Sequence, residues 1–151
     1  MKRVLIVYHS QSGATAALAQ AVANGVAQEE GVELRVRRAF EADTRDLLWA
    51  QLVIFGSPEN FGYLSGGLTD FLARTYYPAL PQQLSLPYAV FISAGNDGTG
   101  AVRMLERIVS GYPLRAVIAP LIVRGEPAAA DFVRCEELGL TLAAGLALGI
   151  Y

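Results

Sequence analysis

The sequence predicts an α/β fold of three layers: a doubly wound parallel sheet of five strands with helices on both faces. Three observations predict it. Continuous apolar runs rich in β-branched residues recur along the chain, as strands buried on both faces require. Between them, apolar residues recur every three or four positions, the period of a helix with one buried face. Strand and helix alternate throughout, and that alternation gives parallel strands joined by crossover helices. The 151 residues suffice for a single domain, 1–151, with a full-sized core.

Residues 4–8 (VLIVY) are the first strand. After Thr15 the period changes: Leu18, Val22 and Val26 lie four apart, with Gln20, Asn24 and Gln28 opposite, so a helix follows and Gly31 ends it. Residues 33–37 alternate polar and apolar side chains, as an edge strand does. Residues 51–55 are a buried strand that ends at Gly56. Leu64, Leu68, Phe71, Leu72 and Tyr76 form the next helical face, which Pro78 and Pro81 stop. Residues 88–92 are the fourth strand, and Ala101, Met104, Leu105 and Ile108 mark the third helix. Residues 116–123 hold the fifth strand, broken near Pro120. Phe132, Cys135, Leu138, Leu142 and Leu146 face the core from a final helix.

Composition narrows the function. The formal net charge is -2 and no lysine or arginine cluster appears, which excludes nucleic acid as an expected partner. One cysteine, Cys135, makes no disulfide framework, and with one histidine, His9, it makes no zinc site. The apolar run after Lys2 and Arg3 is too short for a signal peptide, and the C-terminal LTLAAGLALGIY is too short to span a bilayer. The expectation is a cytoplasmic protein with no membrane span.

Ligands of such sheets sit beyond the carboxyl ends of the strands, where strand order reverses. Three loops deserve inspection on that ground. The first, Ser10-Gln11-Ser12-Gly13-Ala14-Thr15, joins a buried strand to a helix N-terminus. Free backbone N–H groups and the helix dipole favour an anion there, and the hydroxyls add donors, so a phosphate can be held without a lysine or arginine. Helix capping needs one hydroxyl and accounts for one of the three. The lysine of a P-loop and the three glycines of a dinucleotide fingerprint are both missing.

The second loop, Ser57-Pro58-Glu59-Asn60-Phe61-Gly62-Tyr63, offers two aromatic faces and a polar amide to a flat ring, with glycines that let the backbone approach. Phe61 or Tyr63 packing on the following helix is the structural alternative. The third, Ser93-Ala94-Gly95-Asn96-Asp97-Gly98, exposes backbone N–H groups for a ring carbonyl and carries no aromatic residue. Asp97 or Thr99 also suits a helix cap there. Glu59 and Asp97 are read as solvated loop acids in preference to a catalytic pair.

The first loop resembles the phosphate loop of flavodoxins, and FGSPENFGYLSGGLTDFLART resembles the Gly-Ser-Pro-x-x-Phe-Gly stretch of flavodoxin-like NAD(P)H (quinone) oxidoreductases. FISAGNDGTGAV falls where that family places a further flavin loop. The resemblance implies a flavodoxin-like fold with strand order 2-1-3-4-5, FMN as cofactor held by the three loops, NADH or NADPH as donor, and a quinone or similar small molecule as acceptor. It implies no metal and no catalytic side chain, because the cofactor carries the chemistry. The alternative is a flavodoxin-type electron carrier reduced by a partner redox protein. A homo-oligomer is compatible with either.

Overall fold

Continuous apolar runs become strands that both faces of one sheet bury. The computed structural model describes residues 1–112 and 114–151. In chain order it has β1 (Lys2–Tyr8), α1 (Ala14–Ala27), β2 (Val32–Arg38), α2 (Thr44–Trp49), β3 (Leu52–Asn60), β4 (Tyr63–Leu64), α3 (Gly66–Ala79), β5 (Pro87–Ala94), α4 (Thr99–Ser110), β6 (Arg115–Ala116), β7 (Leu121–Arg124) and α5 (Ala129–Ala147).

The sheet runs β2-β1-β3-β5-β6, with β7 also paired to β5 and all of these pairs parallel. β6 and β7 are two pieces of the expected fifth strand: the first lies beside Pro87 and Tyr88, the second beside residues 91–94. Pro120, just before β7, has no N–H to give to a ladder. Counted as one strand, the pair restores the expected order 2-1-3-4-5. β4 is an addition, antiparallel to the end of β3.

Alternation along each strand sorts the core. Val4, Ile6, Leu52 and Ile54 face one way and pack with Leu18, Val22 and Val26 of α1 and with Leu138 and Leu142 of α5. Leu5, Val7, Val53 and Phe55 face the other way, against Leu47 of α2, Leu68 and Phe71 of α3 and Leu105 of α4. Each such side chain fully buried contributes about 1.5–3 kcal/mol. On the first face, α1 and α5 approach so closely that a β-carbon at Gly25 would overlap the Glu136 carbonyl, and one at Gly139 the Val22 carbonyl.

The first helix ends at Ala27, with Gln28 and not Gly31 as its cap, and three further boundaries differ from expectation. β3 continues to Asn60, past Gly56, because its last residues pair with β4 across a two-residue turn. Leu64 accordingly lies in β4 and not on the helix, although it is buried as expected. α3 passes through Pro78 and ends at Ala79. The sequence reading omits α2, whose six residues are held by Asp43, which accepts the Arg45 N–H (2.9 Å), and by Asp46, which accepts the Asp43 N–H (3.0 Å). Asp46 also takes an ion pair from Arg35 on β2 (2.9 Å). Among the described residues no helix is long and apolar enough to cross a membrane.

Candidate functional site

The chain leaves β1 towards β2 on one side of the sheet and later crosses to β3 on the other, so strand order reverses between β1 and β3. The three candidate loops follow β1, β3 and β5, which are neighbours, and all emerge at one sheet edge.

The first loop presents a bare helix start. Ser10 Oγ accepts the Ala16 N–H (3.1 Å), and the Gly13 carbonyl accepts the Ala17 N–H (3.0 Å). Among the described residues the N–H groups of residues 11–15 have no protein acceptor. No acidic side chain stands in the first turn of α1. Gly13 has φ +104°, a left-handed conformation that favours glycine, with open space where a β-carbon would stand. The three hydroxyls are placed differently: Ser10 caps the helix, Ser12 is exposed, and Thr15 is buried within the first turn.

In the second loop, residues 57–60 belong to β3 and Phe61 and Gly62 form the hairpin turn to β4. Both turn residues have positive φ, +54° and +78°, as the tightest hairpin turns require. Gly62 suits this and Phe61 does not: a bulky side chain in the left-handed region costs roughly 1–2 kcal/mol. Phe61 is 98% exposed and Tyr63 63% exposed, so helix packing accounts for neither. Asn60 donates from Nδ2 to Gln11 Oε1 (3.0 Å), joining the second loop to the first. Ser57 is fully buried; its hydroxyl donates to the Pro58 carbonyl (2.7 Å) and accepts the Ser65 N–H (3.1 Å). Ser65 in turn accepts the Leu68 N–H at the start of α3 (3.3 Å). Ser57 thus holds the hairpin against α3.

In the third loop, Ser93 is half-buried, Ala94 is buried, and Gly95, Asn96 and Asp97 are exposed. Asp97 Oδ1 accepts both the N–H and the hydroxyl of Thr99 (2.9 Å each). These hydrogen bonds, the backbone one first, hold its carboxyl below the usual range, helped by the charges of Arg124 and Arg103. Glu59 does not pair with Asp97. Its Oε1 accepts the Gly98 N–H (3.2 Å) and its Oε2 the Ala101 N–H (3.1 Å), so it caps α4 from another loop. Gly98 has φ +78°, and Gly100 lies so close to the Gly62 carbonyl that no β-carbon fits between.

His9 sits edge-on to Phe40 (centroids 5.5 Å apart, interplanar angle 87°) and against the backbone of Gly67. Among the described residues no group of three histidine, cysteine or acidic side chains is placed to hold a metal ion. The sequence reading missed the Glu59 cap and the Gln11–Asn60 bridge. Both partners of each contact were in view, and only the topology sets them face to face.

No protein-family model matches the chain. Over 71 residues it is 38% identical to a flavodoxin from Aquifex aeolicus (strain VF5), a match covering 47% of this chain and 38% of that protein. It is 33% identical over 95 residues to an NAD(P)H dehydrogenase (quinone) from Acidithiobacillus ferrooxidans (strain ATCC 53993 / BNL-5-31), covering 50% of this chain and 48% of that protein. The matches thus span less than half the length of either curated relative. Among solved structures, a flavodoxin from the domain Archaea superposes with TM-score 0.81 and 21% identity, over 95% of this chain and 98% of that one. The chain therefore has the flavodoxin-like fold, and over about half its length its sequence is similar to a flavodoxin and to an NAD(P)H dehydrogenase (quinone).

Proposed function

We propose that the chain binds FMN and passes electrons from NADH or NADPH to a quinone or a similar small acceptor. One observation carries the cofactor assignment: α1 begins with free amides on residues 11–15, while α4, at the same edge, is closed by Glu59. The fit is chemical as well as positional. A terminal phosphate takes the amides of residues 12–15 and the hydroxyls of Ser12 and Thr15, with the dipole of α1 as its positive partner. Phe61 and Tyr63 offer exposed aromatic faces to the ring. Asn60, Ser93 and the amides of residues 95–97 are left for its polar edge. The bound flavin supplies a ring that accepts and returns hydride or electrons. This chain's residues bind and orient it, and none is assigned an acid or base role.

The third loop supports a small-molecule donor. It has no aromatic lid, and Arg103 and Arg124 stand close enough to act on Asp97. A cationic flank suits an anionic nicotinamide nucleotide better than the basic partner protein that an acidic rim would steer. Hydride transfer needs donor and acceptor atoms roughly 3–3.5 Å apart, which an uncovered ring face permits. The similarity to a flavodoxin favours a second reading, a carrier reduced by another protein.

Stopped-flow absorbance at the oxidised flavin band separates the two. NADH or NADPH is expected to bleach the FMN-loaded protein directly, and added quinone to sustain many turnovers. If neither nucleotide bleaches the flavin while a reductase protein does, the carrier reading stands.

A further inference from the structure

Two long helices, α1 and α4, begin at the same sheet edge, α1 on one face of the sheet and α4 on the other, and each helix start carries the equivalent of about half a positive charge. Left alone, these would be two anion seats at one sheet edge. At α4, Asp97 accepts the Thr99 N–H (2.9 Å), but Gly98 has no side chain and the first turn holds no acidic residue to take the Gly98 and Ala101 N–H groups. The carboxylate that takes these two comes from Glu59, some forty positions earlier, with one oxygen on Gly98 N–H (3.2 Å) and the other on Ala101 N–H (3.1 Å). Beside this clamp, the Gly62 carbonyl rests directly on Gly100.

We propose that Glu59 is a positioning residue that acts as a built-in anion plug. It fills the α4 seat so that a phosphate enters at α1 alone, and it locks the hairpin tip to the third loop so that the two form one wall. Its ligand consequence rests on the FMN reading; the plug itself does not. With α4 closed, a phosphate-bearing ligand has one register: phosphate at residues 12–15, ring towards the hairpin and the third loop. Glu59 touches no part of that ligand. It acts through the α4 amides and through the position of Phe61.

The test is a titration with inorganic phosphate, followed by amide ¹H–¹⁵N resonances, of the wild-type protein, Glu59→Ala and Glu59→Gln. In the wild type, phosphate should move the amides of residues 12–15 and leave Gly98 and Ala101 unchanged. In Glu59→Ala it should move Gly98 and Ala101 as well, and FMN affinity should fall about tenfold as the hairpin loosens. Glu59→Gln keeps the shape but loses the charge and one of the two acceptors, so a weaker response at the same two amides is expected. A folded Glu59→Ala whose Gly98 and Ala101 amides ignore phosphate overturns the proposal. If that variant does not fold, the same silence in Glu59→Gln overturns it. Failure of the FMN reading shows separately, as wild-type amides at 12–15 that respond to neither phosphate nor FMN. The Glu59→Ala amides at 98 and 101 still decide the role of Glu59 in that case.

Discussion

Phe61 is the residue whose presence the fold explains least. It is almost wholly exposed, its backbone is left-handed, and no neighbour repays the strain. Asparagine is favoured at the first central position of such a turn because its short polar side chain tolerates positive φ. Phe61→Asn should therefore stabilise the cofactor-free protein by about 1 kcal/mol, a rise in Tm of about 2–4 °C for a chain of this size. The same substitution should weaken FMN binding by about 1 kcal/mol or more, because an aromatic contact is lost. Thermal unfolding without ligand and FMN titration measure the two halves. A Phe61→Asn protein that gains stability and keeps full affinity would show that the ring does no work at the site. Opposed effects at one position are what strain kept for function produces. Ser57 shows the reverse arrangement: it was a cofactor candidate by its place in the motif, and both its donor and its acceptor serve the hairpin.

At the scale of elements, helix pairs give the sharpest expectations. α1 and α5 meet backbone to backbone at Gly25 and Gly139, where a single added carbon overlaps a carbonyl on the other helix. Gly139→Ala should cost roughly 1–3 kcal/mol through overpacking, despite the better helix propensity of alanine, and urea denaturation would read it as a lower midpoint. On the other sheet face, Tyr112 ties the end of α4 to α3 by donating from its hydroxyl to the Leu72 carbonyl (2.7 Å), beside the Thr75 hydroxyl. Burial pushes the Tyr112 phenol up to about 12 from the ordinary 10. A raised folded-state value means that the folded protein holds this proton more tightly than the unfolded chain does. The associated stability is complete below about pH 10 and is lost as pH rises towards 12. Tyr112→Phe should be less stable at neutral pH and should show a shallower loss across that alkaline window. The strands and long helices were legible because apolar period and β-branched content are local signals. α2 was not, since its six residues depend on an ion pair from β2 as well as on their caps. The hairpin at Phe61 was hidden for a similar reason: the turn residue is a poor one, and the pairing of Glu59 with Leu64 and Asn60 with Tyr63 imposes it. In the site, the loops and their order were readable, whereas the division of labour inside them was not. Ser10 and Glu59 look like any loop hydroxyl or acid until α1 and α4 are placed beside them.

For the whole molecule, the proposed FMN binding links ligand and fold. A ligand that binds only the folded chain adds about 2.7 kcal/mol at a hundredfold excess over its Kd. FMN should therefore raise Tm in a concentration-dependent way, and riboflavin, which lacks the phosphate, should raise it much less at equal concentration. Equal shifts from both would remove residues 12–15 from the binding account. The close pairing of α1 and α5 has a consequence in time. Ribosomes add roughly 5–20 residues each second, so the helix that follows the first loop waits on the order of ten seconds for α5, which with the sheet covers Val22 and Val26. Until then α1 lacks the part of its cover that α5 supplies. On the FMN reading, a chain whose α1 has not yet met α5 offers the flavin phosphate no fixed seat, and loading belongs to the completed fold.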